Sequence, residues 1–169
     1  AGIAAARRDA PLALTLSAFP YYSEGWAVYA EDLAAELGAY ASDPYGRIGY
    51  LQSLLLRAVR LALDVGLHAE RWSEDQAVAF VMERAGVPRD IAEAEVERCT
   101  IRPGLCAAYM LGREKLRQLR RVAEQALGPA FDLRAFHDLV LGYGPRPLEV
   151  VEADVQAWIA AATAPPPPS

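Results

Sequence analysis

Apolar residues in this chain recur every three or four positions, and glycine, proline and small polar residues cut them into runs; no segment keeps up a sustained alternation of apolar and polar residues. The three-to-four spacing is that of one face of an α-helix, and the missing alternation removes the signal of a half-buried strand. The expected class is all-α with about seven helices. A length of 169 residues suits one domain of ordinary size. With 53% hydrophobic residues there is enough apolar side chain for a core. Residues 1–164 are therefore read as a single helical domain, with no internal repeat of fixed period.

Local signals place the helices. Ser23 is positioned to cap a first helix that Gly38 stops, with Trp26, Tyr29, Ala30, Leu33 and Leu37 on one face. A second helix is expected from about Tyr45 or Arg47 to Val65, after Asp43-Pro44 and before Gly66. Ser73 and Gln76 form a capping box for a third, which Gly86 ends. Pro88 suits the first turn of a fourth, reaching Cys99 or Thr100 before Pro103-Gly104. The spacing of Leu105, Ala108, Gly112, Leu116, Leu119 and Ala123 predicts a fifth running to Gly128. Asp132 caps a short sixth over Leu133 to Leu141, and Pro147 opens a last helix to about Ala162. The final Pro165 to Ser169 cannot continue a helix and reads as a disordered tail.

Seventeen Lys and Arg against 22 Asp and Glu leave a formal charge of −5, which argues against a nucleic-acid or anionic-membrane partner. Apolar runs are too short to span a bilayer. Cys99 and Cys106, the only cysteines, form no CxxC pair and have no histidine at zinc-finger spacing, so they read as free thiols. The start, Ala1 to Ala6, has neither Met nor a basic flank. It resembles neither a signal peptide nor a natural start, and a processed product or a piece of a longer protein is expected.

Two helices carry polar groups in unusual places. At about 100° per residue, Glu24 and Glu31 lie nearly in line, opposite the stripe of Trp26, Leu33 and Leu37, while Asp32 and Glu36 form a separate strip suited to solvent. Glu24 and Glu31 are thus candidates for buried carboxylates, which need a nearby cation. The next helix supplies one in its thin stripe of Ser53, Arg57, Arg60 and Asp64, followed by His68. Two readings stay open. Arg57 and Arg60 pair with Glu24 and Glu31 in an internal network, or one glutamate binds a metal ion and the arginines bind a substrate carboxylate.

The segment Ser23-Glu24-Gly25-Trp26-Ala27-Val28-Tyr29-Ala30-Glu31 resembles the EGWAxYxE segment of a bacterial family catalogued as a domain of unknown function, number eight hundred and eighty-five, related to gluzincin-type zinc metallopeptidases. The resemblance continues through Asp43-Pro44, Arg57 to Leu61, Asp64 to His68, Trp72-Ser73, Glu97-Arg98, Pro103-Gly104, Tyr109, Gly112 and Phe136-His137-Asp138. By similarity to the NEGFA segment of related aminopeptidases, Glu24 would be the third zinc ligand and Glu31 a carboxylate supporting the ligands. Tyr109, placed like the tyrosine of the family's SYKxG segment, would donate to the oxyanion of a peptide-hydrolysis intermediate; a core tyrosine is the plainer alternative. Arg57 and Arg60 would hold the terminal carboxylate of a peptide.

The departures matter as much. The family carries its His-Glu and Gly-His-His residues shortly upstream of EGWA, whereas the first histidine here is His68. Leu105 stands where the family has glutamine after Pro-Gly, and Ala108 where it has serine before the tyrosine. Zinc needs three protein ligands and an open position, and nothing in the spacing of Glu24, His68 and His137 recommends them as a substitute set; His68 suits a helix C-terminus and His137 a structural contact. The resemblance thus implies the C-terminal part of a zinc-dependent hydrolase acting on peptide or amide bonds. Zinc would belong to the complete protein and not to the isolated chain. The isolated chain would be inactive, because two histidine ligands and the general base would come from an upstream polypeptide or partner chain. The alternative is a non-catalytic helical binding or assembly module. Both imply apolar surface left for self-association.

Overall fold

The computed structural model describes residues 18–164; the expectations for the first residues and for the proline tail lie outside them. The described residues form seven α-helices and one short 3-10 turn, with no strand. The helices are α1 (Pro20–Glu36), α2 (Pro44–His68), α3 (Glu74–Ala85), α4 (Arg89–Thr100), α5 (Leu105–Leu127), α6 (Leu133–Leu141) and α7 (Leu148–Thr163), with the 3-10 turn at Gly128–Ala130 between α5 and α6.

Several ends follow from the chemistry read in the sequence. Ser73 and Gln76 cap α3 reciprocally, Gln76 N donating to Ser73 Oγ at 3.2 Å and Ser73 N to Gln76 Oε1 at 2.9 Å. Gly86 closes that helix in the left-handed region at φ 66°, which glycine adopts without the penalty of a Cβ. Asp132 caps α6 through the amides of Arg134 and Ala135. Asp43 accepts from Gly46 N at 2.8 Å, and Pro44 occupies the first turn of α2.

Three expectations are corrected. Helix α1 starts three residues before Ser23, with Pro20 in its first turn and no side-chain cap; a proline there loses no amide the helix would use. Helix α2 runs through Gly66 to His68, because Gly66 is where Trp72 folds back: a Cβ would meet the indole Cδ2 at 2.4 Å. Cys99 and Cys106 are joined in a disulfide. A turn over residues 101–104, with Gly104 at φ +81°, reverses the chain between α4 and α5 and brings the two Cα atoms to 5.7 Å. Reading each cysteine against sequence spacing alone missed this reversal.

Apolar side chains segregate into two cores. One joins α1, α5, α6 and α7 around Tyr22, Tyr29, Leu116, Leu119, Phe136 and Val151. The other joins α2, α3 and α4 around Val59, Leu63, Val78, Val81 and Val96, and reaches the disulfide. Helix α5 makes its broadest contact with α1 and its next broadest with α2. The α1/α5 crossing is close enough that a Cβ on Gly112 would lie 1.9 Å from the Tyr21 carbonyl oxygen, and one on Gly25 would lie 2.5 Å from Gly112 C. Glycine on both helices is what permits this approach, and it sets residue 24 beside α5.

Candidate functional site

A cleft of about 650 Å³ opens between the start of α1, the end of α4 and the start of α5. Glu24 and Tyr109 both line it, although 85 residues separate them in the chain. Helix α1 presents Ser23 and Glu24, α5 presents Leu105 and Tyr109, and α4 with its following turn presents Arg98 and Arg102. The Glu24 side chain is partly buried. Among the described residues no hydrogen-bond donor or cation is paired with it.

Glu31, Arg57 and Arg60, the other charged groups expected at the site, are engaged. Arg57 donates to both Glu31 oxygens, at 2.7 and 3.0 Å, and to Ser53 Oγ. Arg60 turns to α4 and grips Glu95 in a two-point pair at 2.5 and 2.6 Å. This pairing holds its guanidinium protonated to still higher pH than usual, against the opposing effect of burial. The Arg60 guanidinium also lies over the Tyr109 ring, 5.9 Å from its centroid, a cation–π contact that positions the tyrosine at the cleft. Of the network expected among Glu24, Glu31, Arg57 and Arg60, the Glu31–Arg57 pair is present, Glu95 takes Arg60, and Glu24 stays out.

Asp32, expected to face solvent, is only 7% exposed. Arg113 donates to it at 2.7 and 3.1 Å and Tyr50 at 2.7 Å, so a buried charge is neutralised by groups on two other helices. Burial, reinforced by the hydrogen bond to Asp32, pushes the Tyr50 hydroxyl up to about 12. Asp64 does different work: its carboxylate accepts from Gly104 N at 2.9 Å and Ala107 N at 3.1 Å, capping α5 from another helix.

The histidines are apart from the cleft and from each other. His68 Nε2 is 3.0 Å from the Cys99 carbonyl oxygen, and His137 Nε2 is 3.0 Å from the Tyr29 hydroxyl. Among the described residues no three His, Cys, Asp or Glu side chains converge as a metal-binding group. Zinc takes three protein ligands, and the described residues by themselves do not fit it.

A family model for bacterial proteins of unknown function (DUF885) matches residues 1–155. The chain belongs to the DUF885 family. Two solved structures resemble this DUF885 chain. "The putative lipoprotein from Colwellia psychrerythraea" is 42% identical, with a TM-score of 0.86 over 89% of this chain and 26% of that one. A "putative lipoprotein of unknown function from Shewanella oneidensis" is 28% identical, with a TM-score of 0.81 over 89% of this chain and 28% of that one. The DUF885 chain thus spans about a quarter of the length of each. No curated protein matches it. Within it, no helix among the described residues is long and apolar enough to cross a membrane.

Arg98 and Arg102 were not singled out from the sequence as site residues. The available signal was two arginines one helical turn apart, either side of Cys99 and next to a Pro-Gly turn. Without the disulfide, nothing in the spacing turned them toward Glu24.

Proposed function

We propose that this chain is the C-terminal helical portion of a zinc-dependent hydrolase of peptide or amide bonds, contributing Glu24 as one zinc ligand and the α1/α4/α5 cleft as part of the substrate wall. One observation carries the reading: Glu24, a partly buried carboxylate without a partner among the described residues, lines the same cleft as Tyr109. Most partly buried carboxylates of α1 and its neighbours have arginine partners. A carboxylate left available beside a phenolic donor suits a ligand and an oxyanion donor. Glu31, held by Arg57, would support the ligand set about two helical turns along. The histidine ligands and general base would come from upstream polypeptide or a partner chain, so the isolated chain is inactive.

The test is zinc content by metal analysis after joining the chain to an upstream segment that carries the histidine pair. One zinc per chain is expected, and Glu24→Gln should weaken binding at least about 100-fold, the upper end for loss of even an outer partner of a ligand. Zinc uptake unchanged in that variant would remove Glu24 from the ligand set.

A second reading, a non-catalytic assembly module, is favoured by α2, which exposes Tyr45, Ile48, Leu51 and Leu55 along one side. Apolar stripes of this kind mark contact surfaces. A chain that sediments as a monomer at high concentration would count against it.

A further inference from the structure

We propose that Arg98 and Arg102 form a carboxylate-recognition site in the cleft, so that the ligand is a peptide-like acid with a free carboxylate held opposite Glu24. The proposal names the substrate class of the hydrolase reading and depends on that reading only for the chemistry that would follow binding.

Both arginines line the cleft with Glu24 and Tyr109. Elsewhere the fold engages its buried and half-buried guanidiniums with carboxylates, Arg57 with Glu31, Arg60 with Glu95, Arg113 with Asp32, Arg120 with Glu36 and Arg146 with Asp154, whereas Arg98 and Arg102 are exposed at the cleft. Among the described residues neither Arg98 nor Arg102 has a side-chain partner of that kind. Arg98 sits in the last turn of α4, where a cation suits the carbonyl ends. Arg102 lies beyond the helix, so the helix end does not account for it.

The segment that carries them is fixed from both sides. The disulfide joins Cys99 to Cys106 across the turn, Asp64 holds the amides of Gly104 and Ala107, and His68 meets the Cys99 carbonyl. A guanidinium presented from a pinned turn needs less ordering on binding, and that ordering is a main cost of association. Phe19, Ile101 and Leu105 supply apolar wall in the same cleft. A planar guanidinium matches the fork of a carboxylate, and a second beside the cleft adds to the attraction for the same anion. Glu97 also lines the cleft and opposes an anion there, which gives the proposal a sign that can be checked.

The experiment titrates the oxidised chain, without zinc, with N-acetyl-Ala-Ala and with its C-terminal amide, by calorimetry at low salt. The acid should bind at least about tenfold more tightly than the amide, the scale of one charge-assisted hydrogen bond. Arg98→Ala and Arg102→Ala should each remove about that tenfold preference. Arg102→Lys should restore part of it, and Glu97→Gln should tighten the acid alone. Reduction of the disulfide should weaken the acid and leave the amide unchanged. Equal binding of acid and amide, no binding of either, or an acid preference that survives both alanine variants would overturn the proposal. Because no zinc is present, acid binding with failed zinc uptake in the joined protein would sink the hydrolase reading alone, and the converse result would sink only the carboxylate site.

Discussion

The two cores of the molecule are held by different means. The α1/α5/α6/α7 core is built from large side chains, with Tyr29 and Phe136 fully buried, and two helices cross through paired glycines. Polar links cross it as well: Arg113 of α5 grips the buried Asp32 of α1, Tyr22 donates to the Val140 carbonyl at 2.8 Å, and Arg146 gathers the carbonyls of Leu139 and Val140 at the end of α6. The α2/α3/α4 core is made mostly of valine and alanine, each contributing less buried area than an aromatic ring. Its own ion pair, Arg60–Glu95, is joined by the Asp64 cap and by a disulfide that the first core lacks among the described residues. The cleft lies where these two arrangements meet. Glu24 belongs to the helix of the first, and Arg98 to a helix of the second. The shape of the site thus depends on the covalent and capping links of the second core being added to the large-side-chain packing and close helix crossing of the first.

The largest expected effect comes from attacking the first arrangement. Gly112→Ala puts a methyl group into the Tyr21 backbone, and a rigid helix pair has no flexible side chain to give way; a loss of about 3 kcal/mol in urea unfolding is expected, at the upper end for overpacking. A loss below about 1 kcal/mol would mean that α1 and α5 can separate cheaply, and the contrast between the cores would lose its basis. Reducing Cys99–Cys106 attacks the second. A closed loop this short is worth about 2 kcal/mol, and hydrogen exchange should rise first at the end of α4 and the start of α5. Exchange rising equally around Phe136 would show that the two cores open as one unit.

The smallest effect is a pH dependence in the first core. Burial, and secondarily the Arg120 guanidinium, push the His137 ring below its ordinary value, while Asp138 and Glu36 act in the opposite direction. The unfolded chain therefore takes up a proton first as pH falls through about 6.5. Stability contributed by the neutral ring is complete above that value and declines below it. The melting temperature should drop between pH 7.5 and 5.5, and His137→Gln should flatten that part of the profile; an identical slope in the variant would assign the drop to other groups.

Much of the helical order was legible because it is local. The Ser73/Gln76 box, Gly86 and the Asp132 cap act within a turn or two of themselves, so the ends of α3 and α6 follow from sequence. Apart from the start of α1, which Pro20 opens three residues early, the failures are long-range. Asp32 looked wet until Arg113 and Tyr50, from two other helices, covered it. Gly66 looked like a stop until Trp72 folded over it. At the site, the resemblance picked out Glu24 and Tyr109, and only the fold placed them in one cleft. Arg57 and Arg60 were legible as a polar stripe, yet Glu95, which takes Arg60, lies 35 residues away and carried no signal.

The sequence by itself determined the all-helical class, the number of helices and most of their ends, because hydrogen bonding within a helix and capping at its termini are satisfied by neighbours a few residues apart. Only the tertiary structure decided which charges are buried, that two cysteines meet, and that Glu24, Tyr109, Arg98 and Arg102 share a cleft. Those outcomes depend on which helix faces lie against each other, and that is settled by burial summed over the whole chain and not by any residue's neighbours in sequence.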